Sequence, residues 1–438
     1  MVQLVKTEAL VHAGKTVGRV SCQIEVLLFH QRRPIRVTPA SKQTWDSGNR
    51  DGVRDTSTSH YCDPATHATM VVNGLWMQTA LIWLALFQAA GYHQAFPGYH
   101  YQFPRDHFDH AEFKTEWWYY TGNVRAADGR HYGFELVFFR EGRHARPDVR
   151  PDNSAVENPS AWRVDDLYLA HLALTDIDGR KFRYSERLNR AGPGIAGVSF
   201  KNGRIWNGNW QVLWDKAQWD KAQWDQTTGV QTISAVEDGI RLTLHLTPRT
   251  APVIHGENGV SQKAEGAGHA SYYVSFPLLA VDGTLNGAAV AGTAWMDHEW
   301  FSDLLEDSTQ GWDWFSAQFD NHTELMLFEV RGKETYSSGT YVDASGRAVH
   351  LKRSDFAVQP LDYWTSPKTG ARYPVRWRVA VPPLKIAVEC AAAIPDQELV
   401  SKDKYTPTYW EGAVRYAGSV SGAGYLELTG YAGRGRLN

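Results

Sequence analysis

The residues with the clearest chemical potential are an acid and an indole that share one predicted strand. Gly292 to Asp297 alternates with period two, which predicts that Thr293, Trp295 and Asp297 lie on one face and Ala294 and Met296 on the other. A carboxylic acid in apolar surroundings keeps its proton towards neutral pH because desolvation disfavours its charged form. Aromatic faces stabilise a nearby cation. The pattern predicts a proton donor. The alternative is a strand-terminal aspartate bonded to turn amides.

Two histidines and a glutamate are further candidates for catalysis. His298 and Glu299 directly follow the aspartate, and we expect them to hold a water molecule or to tune its acidity. His171 lies on an otherwise apolar predicted strand, where a histidine is either a catalytic group or a hydrogen-bonded core residue. Both interpretations stay open for His171.

Glu116 precedes an aromatic run and shares a predicted strand face with Trp118 and Tyr120. It is either a second acid of a pocket or half of a buried ion pair with an arginine such as Arg187. Aromatic and histidine residues near these acids are the candidates for ligand binding. They are Trp295, Trp117, Trp118, Tyr119, Tyr120, His269, Tyr272 and Tyr273.

Metal and cofactor motifs are weak or missing in the sequence. Asp106, His107, Asp109 and His110 cluster within five residues, but a convincing third and fourth ligand is lacking. The sequence contains no glycine-rich phosphate loop, no Gly-x-Ser-x-Gly nucleophile elbow and no HExxH motif. We therefore expect neither a metal nor an organic cofactor.

The composition describes a globular chain rich in aromatic residues. Of its 438 residues, 43% are hydrophobic and 21% charged, and the formal net charge is −3, which excludes a general electrostatic surface for nucleic acid. The 18 Trp, 20 Tyr and 17 Phe favour β structure. Three scattered cysteines, Cys22, Cys62 and Cys390, exclude a disulfide framework. A small apolar molecule is the expected partner, and the oligomeric state is left open.

The N-terminal region differs from the rest of the chain. Residues 1–69 are predicted to be disordered or a non-native extension. Residues 70–96 contain an apolar run of signal-peptide length, too short to cross a bilayer, and translation from Met70 or Met77 would explain it. The run predicts a secreted or periplasmic protein without a transmembrane span in its mature chain. A cytoplasmic or membrane-associated location is the alternative.

From Phe103 onward, short alternating runs separated by Gly, Asp and Pro predict an all-β chain, including one strand at Trp206–Trp214. Landmarks recur in the same order in two halves: the aromatic run at Trp117 is echoed at Trp312, and the turn at Gly179 is echoed at Gly346. Two copies of one barrel-sized unit are predicted, at residues 97–303 and 304–438.

Several ordered motifs resemble one protein family. They are FPRDH at 103–107, TEWWYYTGN at 115–123, AHLALTD at 170–176, YSER at 184–187, AWMDHEW at 294–300 and YWEG at 409–412. The resemblance is to the lipocalin-related family of AttH-type proteins and carotenoid 1,2-hydratases, and it spans residues 100–432. It implies two tandem lipocalin-like, or calycin, β-barrels, which agrees with the internal repeat.

The resemblance also implies functions. Many members are described as secreted hydrolases, and the hydratase branch adds water to a terminal carbon–carbon double bond of acyclic carotenoids. Asp297 occupies the place of that branch's acidic aspartate, although its neighbours Trp295, Met296, His298 and Glu299 differ from the Tyr-His-Asp-His-Asn pattern of hydratase-like members. Three functions remain open: a hydratase-like lyase acting on an isoprenoid or lipid, a non-catalytic lipid carrier, and a hydrolase on the same scaffold.

Overall fold

The computed structural model describes residues 91–145, 164–216, 229–303, 308–402 and 407–433. The expectations for residues 1–69, and for most of the apolar segment at 70–96, fall outside the described residues. The predicted domain boundary at 303/304 adjoins the undescribed residues 304–307 and stays a prediction. No helix in the described ranges is long and apolar enough to cross a membrane.

The first half of the described chain forms one antiparallel sheet. Its strands are β1 (Thr115–Ala126), β2 (His131–Gly142), β3 (Asp166–Asp176), β4 (Lys181–Arg190), β5 (Ala196–Ser199), β6 (Arg204–Asn207), β7 (Trp210–Trp214), β8 (Gln231–Glu237), β9 (Ile240–Pro248), β10 (Val253–Ile254), β11 (Ser261–Gln262), β12 (Ala270–Leu285) and β13 (Ala288–Phe301).

The second half forms another antiparallel sheet. Its strands are β14 (Gly311–Phe319), β15 (Glu324–Arg331), β16 (Tyr336–Val342), β17 (Ala348–Lys352), β18 (Ala357–Thr365), β19 (Arg372–Val381), β20 (Ile386–Ala392), β21 (Glu398–Leu399), β22 (Tyr409–Gly418) and β23 (Gly422–Thr429). Single-turn 3-10 helices in the described ranges lie at Arg105–His107 in the first half and at Arg353–Asp355 and Pro382–Leu384 in the second.

The two sheets repeat one strand order. The first runs β4-β3-β2-β1-β13-β12-β9-β8-β7-β6-β5, and the second runs β17-β16-β15-β14-β23-β22-β20-β19-β18. In each sheet the first strand pairs with the last, β1 with β13 and β14 with β23. In the first sheet the edge strands β4 and β5 also touch. The predicted all-β fold of two lipocalin-like barrels is confirmed, and each barrel has its own apolar core.

One strand prediction is wrong. Trp206–Trp214 is not a single strand but a hairpin of β6 and β7, because the chain turns at Gly208, whose φ of +63° lies in the left-handed region. Glycine adopts this conformation without the steric penalty of a β-carbon.

The barrels meet along the outer faces of β1, β2, β3, β12 and β13 on one side and of β14, β15, β22 and β23 on the other. Hydrogen bonds join them: Asn123 Nδ2 donates to Gly424 O (3.2 Å), and Gln318 Nε2 donates to Ala294 O (2.8 Å) and Pro277 O (2.7 Å). Buried polar contacts therefore fix the position of one sheet against the other.

Candidate functional site

Strand β13 presents its two faces to different environments. Ala294 and Met296 belong to the apolar core of the first barrel. Trp295 packs with Trp314 of the second barrel, and Thr293 Oγ1 donates to Gln318 Oε1 (2.6 Å). The alternation expected from the sequence therefore places the face that carries Asp297 between the barrels and not inside one.

A cleft opens between the barrels on this face. The space between its wall atoms amounts to about 610 Å³ when the open solvent at its mouth is included. Its wall is mostly aromatic and carries three acids and one lysine. The lining residues are Trp117, Tyr119, Lys263, Tyr273, Asp297, Glu299, Trp312, Trp314, Phe328, Val330 and Glu427. Four candidates for ligand binding or catalysis from the first barrel (Trp117, Tyr119, Tyr273 and Glu299) thus lie together with Asp297.

Asp297 is a buried acid with neutral partners. Tyr273 Oη donates to its Oδ2 (2.7 Å), while Trp295 Nε1 (2.6 Å) and Ser275 Oγ donate to its Oδ1. Burial raises the pKa of Asp297 to about 7, although the three donors act in the opposite direction. Near neutral pH this carboxyl group therefore exists in both its acid and its ionised form.

Lys263 and Glu299 form an ion pair in the same cleft. Lys263 Nζ lies 2.9 Å from Glu299 Oε1, and Ser271 Oγ donates to the same oxygen. The ammonium group also lies 3.9 Å from the ring centroid of Phe328 and 4.8 Å from that of Tyr273. The cleft thus already holds one positive charge against aromatic faces.

Further carboxyl groups extend from the cleft along the interface. Glu411 and Glu427 are cross-strand neighbours on β22 and β23, and Glu135 lies opposite them on β2. Burial raises the pKa of Glu135 to about 8. Burial and the repulsion of neighbouring acids together raise the pKa of Glu427 to about 8 and that of Glu411 well above its usual value. These acids stay largely protonated at neutral pH, so the interface adds little negative charge.

His171 lies beside this acid group and does not line the cleft. Its Nδ1 is 2.6 Å from Tyr409 Oη, which donates to Glu135 Oε1 (2.8 Å). Burial lowers the pKa of His171 to about 3, so the imidazole is neutral. A neutral ring then donates from Nδ1 to the tyrosine and holds Tyr409 on Glu135.

Glu116 and His298 lie on the opposite face of β1 and β13, within a separate buried cluster. Glu116 Oε1 contacts His110 Nδ1 (2.8 Å) and His298 Nε2 (2.9 Å), and Arg140 Nε donates to Glu116 Oε2 (3.1 Å). The partner arginine is Arg140 on the adjacent strand β2. The suggested partner, Arg187, instead pairs with Glu237.

The ligand atoms of His110, Glu116 and His298 lie within 4.8 Å of one another, which is a spacing that could hold a metal ion. All four ring nitrogens already have partners: besides their contacts with Glu116, His110 Nε2 faces Asp106 Oδ1 (3.4 Å) and His298 Nδ1 faces Asp106 O (3.1 Å). The adjacent Arg140 guanidinium would repel a cation. This cluster is better suited to binding the 3-10 turn at Arg105–His107 to the barrel.

Four other candidates for ligand binding lie away from the cleft. Trp118 and Tyr120 fill the core of the first barrel. Tyr272 packs with Trp300, and its hydroxyl group donates to Phe96 O (3.0 Å). His269 is partly exposed and faces Asp303 at 3.7 Å. None of these four side chains therefore lines the cleft that contains Asp297.

Sequence reasoning missed the part of the cleft that the second barrel and Lys263 supply. The residues are Lys263, Trp312, Trp314, Phe328, Val330 and Glu427. For Trp312 and Trp314 a signal existed, because they are the second-half echo of the run at Trp117. Lys263 follows the short strand β11 in a polar loop and carries no such signal.

The comparisons with known proteins agree with this architecture. A family model described as AttH-like matches residues 94–431. A crystal structure of an AttH protein from Nitrosomonas europaea is similar, with 33% identity and a TM-score of 0.67, covering 77% of this chain and 99% of that one. Kievitone hydratase from Nectria haematococca shares the fold at 14% identity and a TM-score of 0.56, covering 78% and 98%. No curated protein matches the sequence significantly.

Proposed function

We propose that this chain, which belongs to the AttH-like family, binds an apolar, unsaturated isoprenoid or lipid in the cleft and adds water to a carbon–carbon double bond by acid catalysis. The observation that carries the proposal is the carboxyl group of Asp297. It is buried in an aromatic wall, has only neutral partners, and has a pKa raised to about 7.

The hydrogen bonds of Asp297 indicate which oxygen delivers the proton. Oδ1 accepts from both Trp295 and Ser275, whereas Oδ2 accepts only from Tyr273. The acidic proton therefore resides on Oδ2, where a lone pair is free. Transfer of this proton to the less substituted alkene carbon leaves a carbocation on its neighbour. Water adds to that carbon, and the proton it releases restores the acid, so that one alkene and one water give one alcohol.

The cleft suits the cationic intermediate of this reaction. The Lys263 ammonium lies against Phe328 and Tyr273, which shows that aromatic faces here accommodate positive charge. Trp117, Trp312 and Trp314 extend the same kind of surface along the cleft. A carbocation next to such rings is stabilised by their quadrupoles.

The fold and the residues that line the cleft help to decide between a hydratase and a hydrolase. The fold is shared with kievitone hydratase, so the architecture is compatible with hydratase chemistry. Among the described residues that line the cleft there is no serine, threonine or cysteine, so a covalent acyl hydrolase would lack its usual nucleophile there. The acid chemistry therefore favours a hydratase over a hydrolase.

The test is water addition in ¹⁸O-labelled water, with squalene and other acyclic terpenes as probes and mass spectrometry as the readout. We expect an ¹⁸O-labelled alcohol from the wild-type protein. Asp297→Asn should still bind the terpene but form the alcohol at about one hundredth of the wild-type rate or below, since a general acid contributes about 10²–10⁴-fold to the rate.

Asp313→Asn is the matched control. Burial raises the pKa of Asp313 to about 7 as well, but its partners are Arg331 and Tyr431 and it does not line the cleft. This variant should form the alcohol at the wild-type rate. If wild type and Asp297→Asn both bind terpenes and neither adds water to any of them, the catalytic proposal is wrong and the carrier function replaces it.

A further inference from the structure

A continuous chain of hydrogen bonds leads from Asp297 to the second barrel. Ser275 Oγ donates to Asp297 Oδ1, and His255 Nε2 lies 2.6 Å from the same hydroxyl oxygen. His255 Nδ1 lies 2.8 Å from Thr340 Oγ1, on strand β16. His255 and Ser275 are fully buried, and Thr340 is almost so. The chemistry proposed above uses none of these three residues.

The hydrogens in this chain can be assigned by elimination. Burial lowers the pKa of His255 to about 3, and the nearby Lys263 and His350 contribute, so the ring is neutral with one N–H. The single hydroxyl hydrogen of Ser275 goes to Asp297, so His255 Nε2–H donates to Ser275. His255 Nδ1 then accepts from the Thr340 hydroxyl group. Every donor in the chain therefore points towards Asp297.

The far end of the chain approaches a second, polar pocket. Thr340 is the cross-strand partner of His350 on β17, so their side chains project from the same face of the sheet. His350 lines a pocket of about 1310 Å³, including its open mouth, together with Lys263, Ser338 and Lys352. Its Nδ1 has no hydrogen-bond partner among the described residues. The titratable imidazole of His350 thus lies between this pocket and the Thr340 end of the hydrogen-bond chain.

We propose that Thr340, His255 and Ser275 form a proton relay that reprotonates Asp297 from the polar pocket. The inference rests on the proposed function of Asp297 and extends it. An Asp297 that is ionised when the apolar ligand fills the cleft can take up its proton through the relay, whereas the proton released by the added water restores the acid after each reaction. All three are positioning residues, because they act through Asp297 and not on the ligand.

The transfer conserves every proton. Ser275 gives its hydroxyl hydrogen to Asp297 Oδ1 and takes the Nε2 hydrogen of His255, and rotation of the carboxyl group then exchanges its two oxygens, which places the proton at the Oδ2 position. His255 takes the Thr340 hydrogen at Nδ1, and Thr340 takes one proton from His350 or from water in the polar pocket. Asp297 gains one proton, the pocket loses one, and the imidazole has changed tautomer. Thr340, His255 and Ser275 therefore need no net change of charge.

The test measures how fast the Asp297 carboxyl proton exchanges with deuterium, by time-resolved infrared spectroscopy of the full chain after mixing into D₂O. The carboxyl band that disappears in Asp297→Asn identifies the signal. His255→Gln is the decisive variant, because an amide side chain can donate and accept at similar positions but cannot switch tautomers. We expect exchange at least tenfold slower in His255→Gln and in Ser275→Ala.

His245→Gln is the matched control, because this exposed histidine contacts Thr232 in a similar His–Thr pair (3.0 Å) far from the relay. Its exchange rate should equal that of the wild type. Thr340→Val tests the same relay from the second barrel and should also slow exchange, which keeps the test decisive if His255→Gln fails to fold. Wild-type exchange in folded His255→Gln or Thr340→Val overturns the relay.

The readout needs no turnover, so the two proposals can fail separately. Slow exchange in the relay variants, combined with no water addition by the wild type, would keep the relay and reject the hydratase. Loss of water addition in Asp297→Asn, combined with unchanged exchange in the relay variants, would keep the hydratase and reject the relay.

Discussion

Asp297 and Glu116 are two buried acids on adjacent strands, yet their surroundings drive their acidities in opposite directions. Burial alone would raise the pKa of both. Glu116 has His110, His298 and Arg140 around it, and these partners, His110 most of all, hold its pKa far below the usual value. Asp297 has only hydroxyl and indole donors, and its pKa rises to about 7. Neutral donors offset only part of the pKa increase that burial causes, whereas cationic neighbours lower the pKa by more than burial raises it.

The difference separates structure from chemistry at this sheet. The Glu116 cluster ties the turn at Arg105–His107 to the barrel, since Arg140 also donates to His110 O and Phe113 O (both 2.8 Å). Asp297 contributes no such anchor and faces a cleft. An acid that holds a removable proton is suited to catalysis, and an acid locked to a guanidinium group is suited to stability.

The largest effect is expected from breaking the Glu116 cluster. Arg140→Met leaves the buried Glu116 carboxylate without its guanidinium partner and should lower the free energy of unfolding by about 3–5 kcal/mol. Urea unfolding at pH 7 measures it. Arg376→Met is the control, because Arg376 pairs with Asp362 at the surface (3.1 Å) and should cost less than about 1 kcal/mol. Equal effects of the two substitutions would contradict the structural role of the cluster.

The second effect has the opposite sign and depends on pH. Unfolded Asp297 loses its proton near pH 4, whereas the folded group keeps it until about pH 7. The folded state therefore binds more protons in this window, and stability falls as pH rises through it. Asp297→Asn removes this cost. Relative to wild type, it should gain up to about 4 kcal/mol between pH 4 and pH 8, at 1.36 kcal/mol per pKa unit.

Urea unfolding of wild type and Asp297→Asn across this range provides the measurement, and the difference between the two proteins cancels the titration of groups that behave alike in both. A difference that does not change with pH would contradict the raised pKa of Asp297. For Glu116 the window lies lower: its stabilising contribution is present above about pH 4 and is lost as the pH falls further.

Local patterns predict much of the Asp297 side of this comparison and little of the Glu116 side. Period-two alternation separates Trp295 and Asp297 from Ala294 and Met296, and the structure places the two sets on opposite faces of β13. The internal repeat predicts two barrels, and the sheets share one strand order. These features depend on the spacing of neighbouring residues, which a sequence displays directly.

Features that depend on strand register and on the meeting of distant segments were not predictable. Arg140 opposes Glu116 because β1 and β2 pair in one particular register, and that register does not include Arg187. Lys263 reaches the cleft from a polar loop, and Glu427 reaches it from the last strand of the second barrel. A single sequence does not show which faces of the two sheets come together.

The smallest expected effect is a change in the pKa of Asp297 when one of its hydrogen-bond donors is removed. Its hydrogen-bond donors stabilise the ionised form, so removing one should raise its pKa further. Trp295→Phe removes the indole donor to Oδ1 and should raise the pKa by about one unit, in line with the loss of one hydrogen bond to a charged group. An infrared titration of the carboxyl band measures it. A lower pKa in this variant would contradict the stabilisation of the ionised carboxylate by the indole N–H.

The proton of Asp297 should be held until about pH 7, and titration of its own carboxyl group tests this most directly. Isotope-edited infrared spectroscopy of the full chain, with Asp297→Asn identifying the band, follows the carboxyl signal from pH 3 to pH 9. We expect a midpoint near 7. A midpoint near 4, the value of an exposed aspartate, would contradict it.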